Sequence, residues 1–225
     1  MKDENVIEDD LSRLQRNMMA MGMPLSSRQI DDFKRYVDLL LEWNRSINLI
    51  SRQDEHNVVT KHIFESLSLL DAVPISSGAT IIDVGTGAGL PGIPLKIVRS
   101  DLKLSLLDSR RKKVLFLENV VRELNLQEVS IIPGRVEEIS QDSGHRNRYD
   151  MIISRAVAEL TPLFTWSYAL LRPQGTFIAI KGGDMTAEIK RFRDKYPSHR
   201  IEEIHVMSCL VPPERDLSII KICTA

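Results

Sequence analysis

The sequence predicts an α/β fold: a seven-stranded sheet, parallel in its main part, with helices on both faces and a helical extension in front. Three observations carry this. From residue 79 onward, short apolar runs alternate with helical patterns, which implies a parallel sheet covered on both sides. Ile81-Ile82-Asp83-Val84-Gly85-Thr86-Gly87-Ala88-Gly89-Leu90 reads as a buried strand, a tight turn and a helix start. The last two apolar runs have no helix between them, only Val211-Pro212-Pro213-Glu214-Arg215-Asp216, so they form an antiparallel hairpin.

The elements follow in order. Ile7, Leu11, Leu14, Met18 and Met21 recur at helical spacing, giving an amphipathic helix over 4–21 whose methionines fill the core. Ser26 and Gln29 make a capping box, with Leu25 placed to staple against Ile30. The helix they open presents Ile30, Phe33, Val37, Leu40 and Leu41 and ends near Trp43. A third helix is expected over 54–71, carrying His62, Phe64 and Leu67. Pro74 and Ser76-Ser77-Gly78 then break the pattern. Residues 1–73 are therefore an N-terminal extension packed on a domain of residues 74–225, without a free hinge. Strands are expected at 80–84, 103–108, 129–133, 149–154, 175–181, 202–209 and 217–223. Helices are expected at 91–99, 110–124, 161–171 and 186–196.

Composition narrows the function classes. The net charge of −1 hides an asymmetry: residues 1–10 hold one Lys and five acids, so the rest of the chain is mildly basic. Cys209 and Cys223 form no CxxC pair, which argues against a disulfide scaffold or a cysteine zinc site. No apolar run reaches membrane-spanning length, and the acidic start does not read as a signal peptide. A cytoplasmic protein without membrane partners is expected, and nothing demands more than a monomer.

Chemistry belongs at the carboxyl ends of the strands. The turn is Asp-x-Gly-x-Gly-x-Gly, not the dinucleotide Gly-x-Gly-x-x-Gly, whose third glycine would fall on Leu90. Gly85, Gly87 and Gly89 let the backbone approach a ligand. Asp83 places negative charge where a pyrophosphate would sit, which favours a cationic nucleoside such as S-adenosylmethionine. Asp108 ends the second strand 19 residues after Gly89, where a carboxylate grips ribose hydroxyls. It is alternatively a helix cap, a role open to Ser109. In Gly134-Arg135-Val136-Glu137-Glu138, Val136 packs on an adenine face and a nearby backbone amide or Glu137 meets its edge, unless Glu137 and Glu138 only complement a helix dipole. Arg155 ends the fourth strand as a candidate for the cofactor carboxylate or an RNA phosphate, against a surface ion pair. Lys181 ends the fifth and either meets a phosphate or is simply solvated. Arg110-Arg111-Lys112-Lys113 is a basic run beside the pocket, read as a phosphate-contacting patch or a solvated helix face, with Arg99, Lys103 and Arg122 able to extend it.

Absences also inform. No Asn-Pro-Pro-aromatic or Asp-Pro-Pro-aromatic motif ends the fourth strand to orient an exocyclic amine, and no Cys stands there to attack a pyrimidine. No Ser/His/Asp arrangement or metal-ligand spacing is visible. His62 reads as a packed helix residue, and Asp54-Glu55-His56 as a solvated helix start.

Several stretches together resemble the ribosomal RNA small subunit methyltransferase G family (glucose-inhibited division protein B), from about residue 30 onward. They are Trp43-Asn44-x-x-x-Asn48-Leu49, Lys61-His62-Ile63, Ile82 to Leu95 with its Gly89-Leu90-Pro91-Gly92-Ile93-Pro94 continuation, Leu107-Asp108-Ser109, Arg135 to Glu138, Ser154-Arg155-Ala156, Lys181-Gly182 and Glu214-Arg215. The resemblance implies a Rossmann-like class I methyltransferase sheet. It implies methylation of guanine N7 in 16S ribosomal RNA by S-adenosylmethionine, without a metal. It also implies cofactor contacts at Gly85, Leu90, Val136, Glu137 and Arg155. Glu65-Ser66 departs from the usual Asp-Ser of that family. N7 carries no proton, so no general base is needed, and Arg155 and Lys181 enter as positioning residues. Two other readings stand beside this one: a methyltransferase for a small molecule or protein, and an RNA-binding or nucleotide-sensing module without turnover.

Overall fold

The computed structural model describes residues 2–155, 157–206, 208–211 and 215–224, with side chains from residue 5 onward. At its centre lies β1 (Thr80–Val84), apolar on both faces apart from Asp83 and buried from Ile81 to Val84. It pairs in parallel with β2 (Lys103–Asp108) and with β4 (Tyr149–Arg155). Outward from β2 lies β3 (Val129–Pro133), and outward from β4 lies β5 (Leu171–Gly182), both parallel. The sheet order is β3-β2-β1-β4-β5-β7-β6. The last two strands, β6 (Arg200–His205) and β7 (Leu217–Cys223), are antiparallel to each other as expected. β7 inserts between β5 and β6 and runs antiparallel to both. Pro212, Pro213 and Glu214 of the connecting loop, Met207 at the end of the expected sixth strand, and Ala156 lie outside the described residues.

Alternation along the strands splits the core. Ile81, Leu104, Leu106, Ile153 and Ile178 face one cluster, which also takes in the N-terminal helices. Ile82, Leu107, Ile152 and Phe177 face the other. The second layer is built on α8 (Leu160–Ser167) and α9 (Thr186–Lys195). Between β1 and β4 the strand order reverses, which opens a crevice at their carboxyl ends.

The extension is bound into the first cluster through α1 (Lys2–Ala20) and α2 (Ser27–Asn44). The Ser26–Gln29 capping box forms, and the Gln29 amide also donates to the carbonyls of Ile97 (2.9 Å) and Val98 (3.2 Å), at the end of α5 (Gly92–Val98). The buried Tyr36 hydroxyl donates to the Ala88 carbonyl at 2.7 Å, so α2 touches the glycine turn itself.

The third helix differs from expectation. In place of one helix over 54–71, the chain forms a 3₁₀ turn (Arg52–Asn57), a π-helical stretch (Val58–Ile63), α3 (Phe64–Leu67) and α4 (Leu69–Ala72). Local chemistry explains the breaks. Ser51 caps Gln53, and β-branched Val58-Val59-Thr60 crowds the preceding turn. The Ser66 and Ser68 hydroxyls donate back to the His62 and Glu65 carbonyls, at 2.6 and 2.7 Å. Such back-bonding bends helices, and π segments recur where side chains must be aimed. The buried polar residues here are His62, Glu65, Ser66 and Ser68.

Candidate active site

After β1 the chain turns through Gly85 (φ +68°) and Gly87 (φ +60°), left-handed conformations that favour glycine. The turn is braced from below by Asp83, whose Oδ2 accepts from Thr86 Oγ1 (2.7 Å) and the Gly92 N–H (2.8 Å). Asp83 is fully buried. Burial pushes its pKa up to about 7, against the lowering effect of those two hydrogen bonds. The sequence reading placed its charge against the ligand. The structure corrects this: Asp83 points to the α5 side of the sheet and does not line the cavity. Gly89 also stands behind the wall, where a Cβ would lie 2.4 Å from Ile93 Cγ1.

A cavity of about 1250 Å³ opens above the turn. Gly85, Gly87, Leu90, Asp108, Val136, Glu137, Arg155 and Lys181 line it, together with Arg110 and Lys113. A Cβ on Gly85 would sit 2.6 Å from Val157 Cγ2, and one on Gly87 3.2 Å from Lys113 Nζ. The glycines thus keep open a cradle that side chains would fill.

Asp108 takes the capping role and lines the cavity as well. Oδ2 accepts from the Gly87 N–H at 3.0 Å, and Oδ1 accepts from the Arg110 N–H at 2.8 Å, at the start of α6 (Arg111–Glu123). Ser109 does not take the capping role. An ionised carboxylate has about four acceptor sites, so two remain for a vicinal diol. Val136 and Glu137 sit in the first turn of α7 (Val136–Ile139) and line the cavity, whereas Glu138 does not.

Arg155 is neither a surface ion pair nor a free cation. Its Nη1 donates to His62 Nδ1 (3.0 Å) and to Glu65 Oε2 (3.2 Å). The other Glu65 oxygen accepts from Arg215 Nη2. Glu65 thus bridges two guanidiniums. Burial lowers the pKa of Arg155, and the Glu65 charge opposes this. Both contacts use one nitrogen, leaving donors of the five-donor fork to face the cavity.

Lys181 is also committed rather than solvated. Its ammonium donates to the Ala158 carbonyl and to Glu188 Oε2 (3.1 Å), and the same Glu188 oxygen accepts from the Leu160 N–H at 2.7 Å. It ties α8 to α9 and has one donor left. In the basic run, Arg110 and Lys113 reach the cavity while Arg111 and Lys112 stand exposed beyond it. Among the described residues no acid pairs with these four. Arg99 and Arg122 do not extend the run as free charges: Arg99 pairs with Asp101 at 2.8 Å, and Arg122 lies 3.7 Å from Glu123.

The cavity wall includes residues that patterning alone missed: Asp54, Lys61, Glu65 and Arg215, with His62 behind Arg155. Asp54 is not part of a solvated helix start; its Oδ1 accepts from Lys61 Nζ at 2.6 Å. The available signal was charge within an apolar stretch, Val58 to Leu70, that is too hydrophobic to lie on a surface. Among the described residues no group of acids, His and Cys could hold a metal ion, and no helix is long and apolar enough to cross a membrane.

Residues 29–218 match the family described as rRNA small subunit methyltransferase G (GidB). The chain is 43% identical over 169 residues to the ribosomal RNA small subunit methyltransferase G of Thermoanaerobacter sp. strain X514, covering 75% of this chain and 70% of that protein. It is 36% identical over 176 residues to the protein of that name from Clostridium botulinum, covering 78% and 74%. A SAM-dependent methyltransferase from Aquifex aeolicus shares the fold, with a TM-score of 0.57 at 15% identity over 81% of this chain and 97% of that one. Aeropyrum pernix fibrillarin, solved with natively bound S-adenosyl-L-methionine, superposes with a TM-score of 0.51 at 16% identity, over 71% and 72%.

Proposed function

The chain belongs to the rRNA small subunit methyltransferase G family, and on that premise we propose that it methylates N7 of a guanosine in 16S ribosomal RNA, with S-adenosylmethionine as donor. The observation that carries the reading is Asp108, anchored on the Gly87 and Arg110 amides with acceptor capacity left over. It lines the same cavity as Gly85, Gly87, Arg110 and Lys113.

The sulfonium supplies an electrophilic methyl group. Asp108 holds the ribose hydroxyls, and Gly85 and Gly87 admit the amino-acid portion along the backbone. Val136 packs on the adenine with Glu137 at its edge. The free donors of Arg155 meet the carboxylate, while Glu65 and His62 fix the guanidinium plane. Guanine N7 presents a lone pair and no proton, so these residues accelerate transfer by alignment, not by proton abstraction. Lys181 keeps the α8 edge of the cavity in place. The uncompensated basic rim favours RNA over a small neutral substrate.

Nucleoside mass spectrometry of small-subunit RNA from cells with and without this protein tests the reading. Loss of one 7-methylguanosine is expected, with restoration by purified protein and S-adenosylmethionine. An unchanged level rejects it.

A further inference from the structure

Asp54, Lys61, Glu65 and Arg215 line the cavity together with Gly87, Asp108 and Val136, and they also line a smaller one of about 240 Å³. Glu65 is consumed by two arginines. Asp54 and Lys61 remain partly open, with side chains 21% and 27% exposed. Their carboxylate and ammonium touch, Oδ1 to Nζ at 2.6 Å. An acceptor and a donor therefore stand side by side in the cavity wall.

We propose that Asp54 and Lys61 read the acceptor guanine, Asp54 accepting from N1–H and the 2-amino group and Lys61 donating to O6. This rests on the guanine N7 reading above. Guanine presents donor, donor and acceptor along that edge. Adenine presents an acceptor at N1 and a donor at position 6, the reverse of what this pair satisfies. With the Watson–Crick edge held here, N7 lies on the other edge of the base and stays free to react.

His62 supports the carboxylate from behind. A guanidinium nitrogen only donates, so His62 Nδ1 accepts from Arg155 and the ring proton sits on Nε2. That Nε2–H is buried, has no hydrogen-bond partner, and lies 3.8 Å from Asp54 Oδ2. A movement of about 1 Å by Asp54 on base entry closes the bond. Burial first, and the Arg155 charge second, push the His62 pKa down to about 3, so the ring stays neutral. Burial works against ionisation of Asp54, but the Lys61 hydrogen bond and charge outweigh it and hold its pKa below the ordinary value.

The test compares small-subunit RNA carrying guanosine or inosine at the methylated position; inosine lacks only the 2-amino group. The parent protein is expected to prefer guanosine in kcat/KM by about ten- to a hundredfold. Asp54→Asn is expected to bring that ratio near unity while leaving S-adenosylmethionine affinity, read by calorimetry, unchanged. Lys61→Gln, which leaves the carboxylate in place, lowers kcat/KM on both RNAs and keeps the ratio. An Asp54→Asn ratio equal to the parent's, or a parent with no preference, overturns the proposal alone. A parent that forms no 7-methylguanosine overturns the underlying reading and the proposal with it.

Discussion

Replacing Glu65 by Gln removes one negative charge from between two guanidiniums with almost no change of shape. The two arginines do not suffer equally. Arg215 has a side chain 42% exposed, so water replaces its lost partner and that half of the bridge is worth under about 1 kcal/mol. Arg155 has a side chain only 13% exposed, and its other partner is a neutral imidazole. Breaking a buried ion pair by removing one partner costs about 3–5 kcal/mol, because the surviving charge stays desolvated. Gln keeps one carbonyl acceptor, so the lower end of that range, about 3 kcal/mol, is expected. For a chain of this size that corresponds to a melting temperature lowered by roughly 6–12 °C.

Urea unfolding of a double-mutant cycle separates this from a general packing loss. Arg155→Met removes the stranded charge, so Glu65→Gln should cost much less in its presence. The expected coupling is about 2 kcal/mol, within the range found for contacting residues. A Glu65→Gln variant within about 0.5 kcal/mol of the parent, or a cycle that is simply additive, would show that the Arg155 charge does not depend on Glu65. The same variant should weaken S-adenosylmethionine binding, since the guanidinium assigned to the cofactor loses one of its two guides.

Asp108→Ala removes the caps on the Gly87 and Arg110 amides, costing about 1–2 kcal/mol, and calorimetry should detect no cofactor binding by the folded variant; unchanged affinity removes Asp108 from the site. Reversing Arg111 and Lys112 to Glu should weaken RNA binding and flatten its salt dependence without touching the cofactor, since both lie exposed outside the cavity; equal salt slopes remove them from the RNA surface. The pH dependence of stability is the fourth prediction. Asp83, raised to about 7, makes the native state bind an extra proton, a stabilisation of about 4 kcal/mol present in acid and lost as pH rises from 4 through 7. His62, lowered to about 3, acts in the opposite sense, its contribution being lost as pH falls from 6.5 toward 3. The parent's urea midpoint should therefore change little between pH 4 and 6.5, whereas Asp83→Asn, blind to the first effect, should lose stability on acidification; identical profiles contradict the Asp83 assignment, and a variant that keeps its midpoint on acidification contradicts that of His62.

Legibility followed the range of the interactions involved. The strands around Ile81, Leu104 and Ile152 are fixed by burial on both faces, and the turn by backbone angles only glycine adopts easily, so both show in a few adjacent residues. The capping box at Ser26 is local in the same way. Asp108 was legible as a choice between two duties because it ends a strand that the pattern located; the capping bond to Arg110 forms, and the second oxygen braces the Gly87 amide. Asp83 was misjudged at the next level: its place on β1 was evident, but the face it points to is decided by Gly92, across the turn. The stretch from Asp54 to Ser68 was least legible, because what bends it is not in it. Glu65 answers to Arg155 and Arg215, 90 and 150 residues downstream, and His62 to Arg155, 93 residues away. A helical pattern read alone had no reason to break there. The break nonetheless carries the functional information, since a regular helix would hold no obligation to bury an acid and an imidazole beside a strand end. In this chain the extension is where the apolar pattern tolerates charge, and it is from there that Asp54, Lys61 and Glu65 reach the cavity wall.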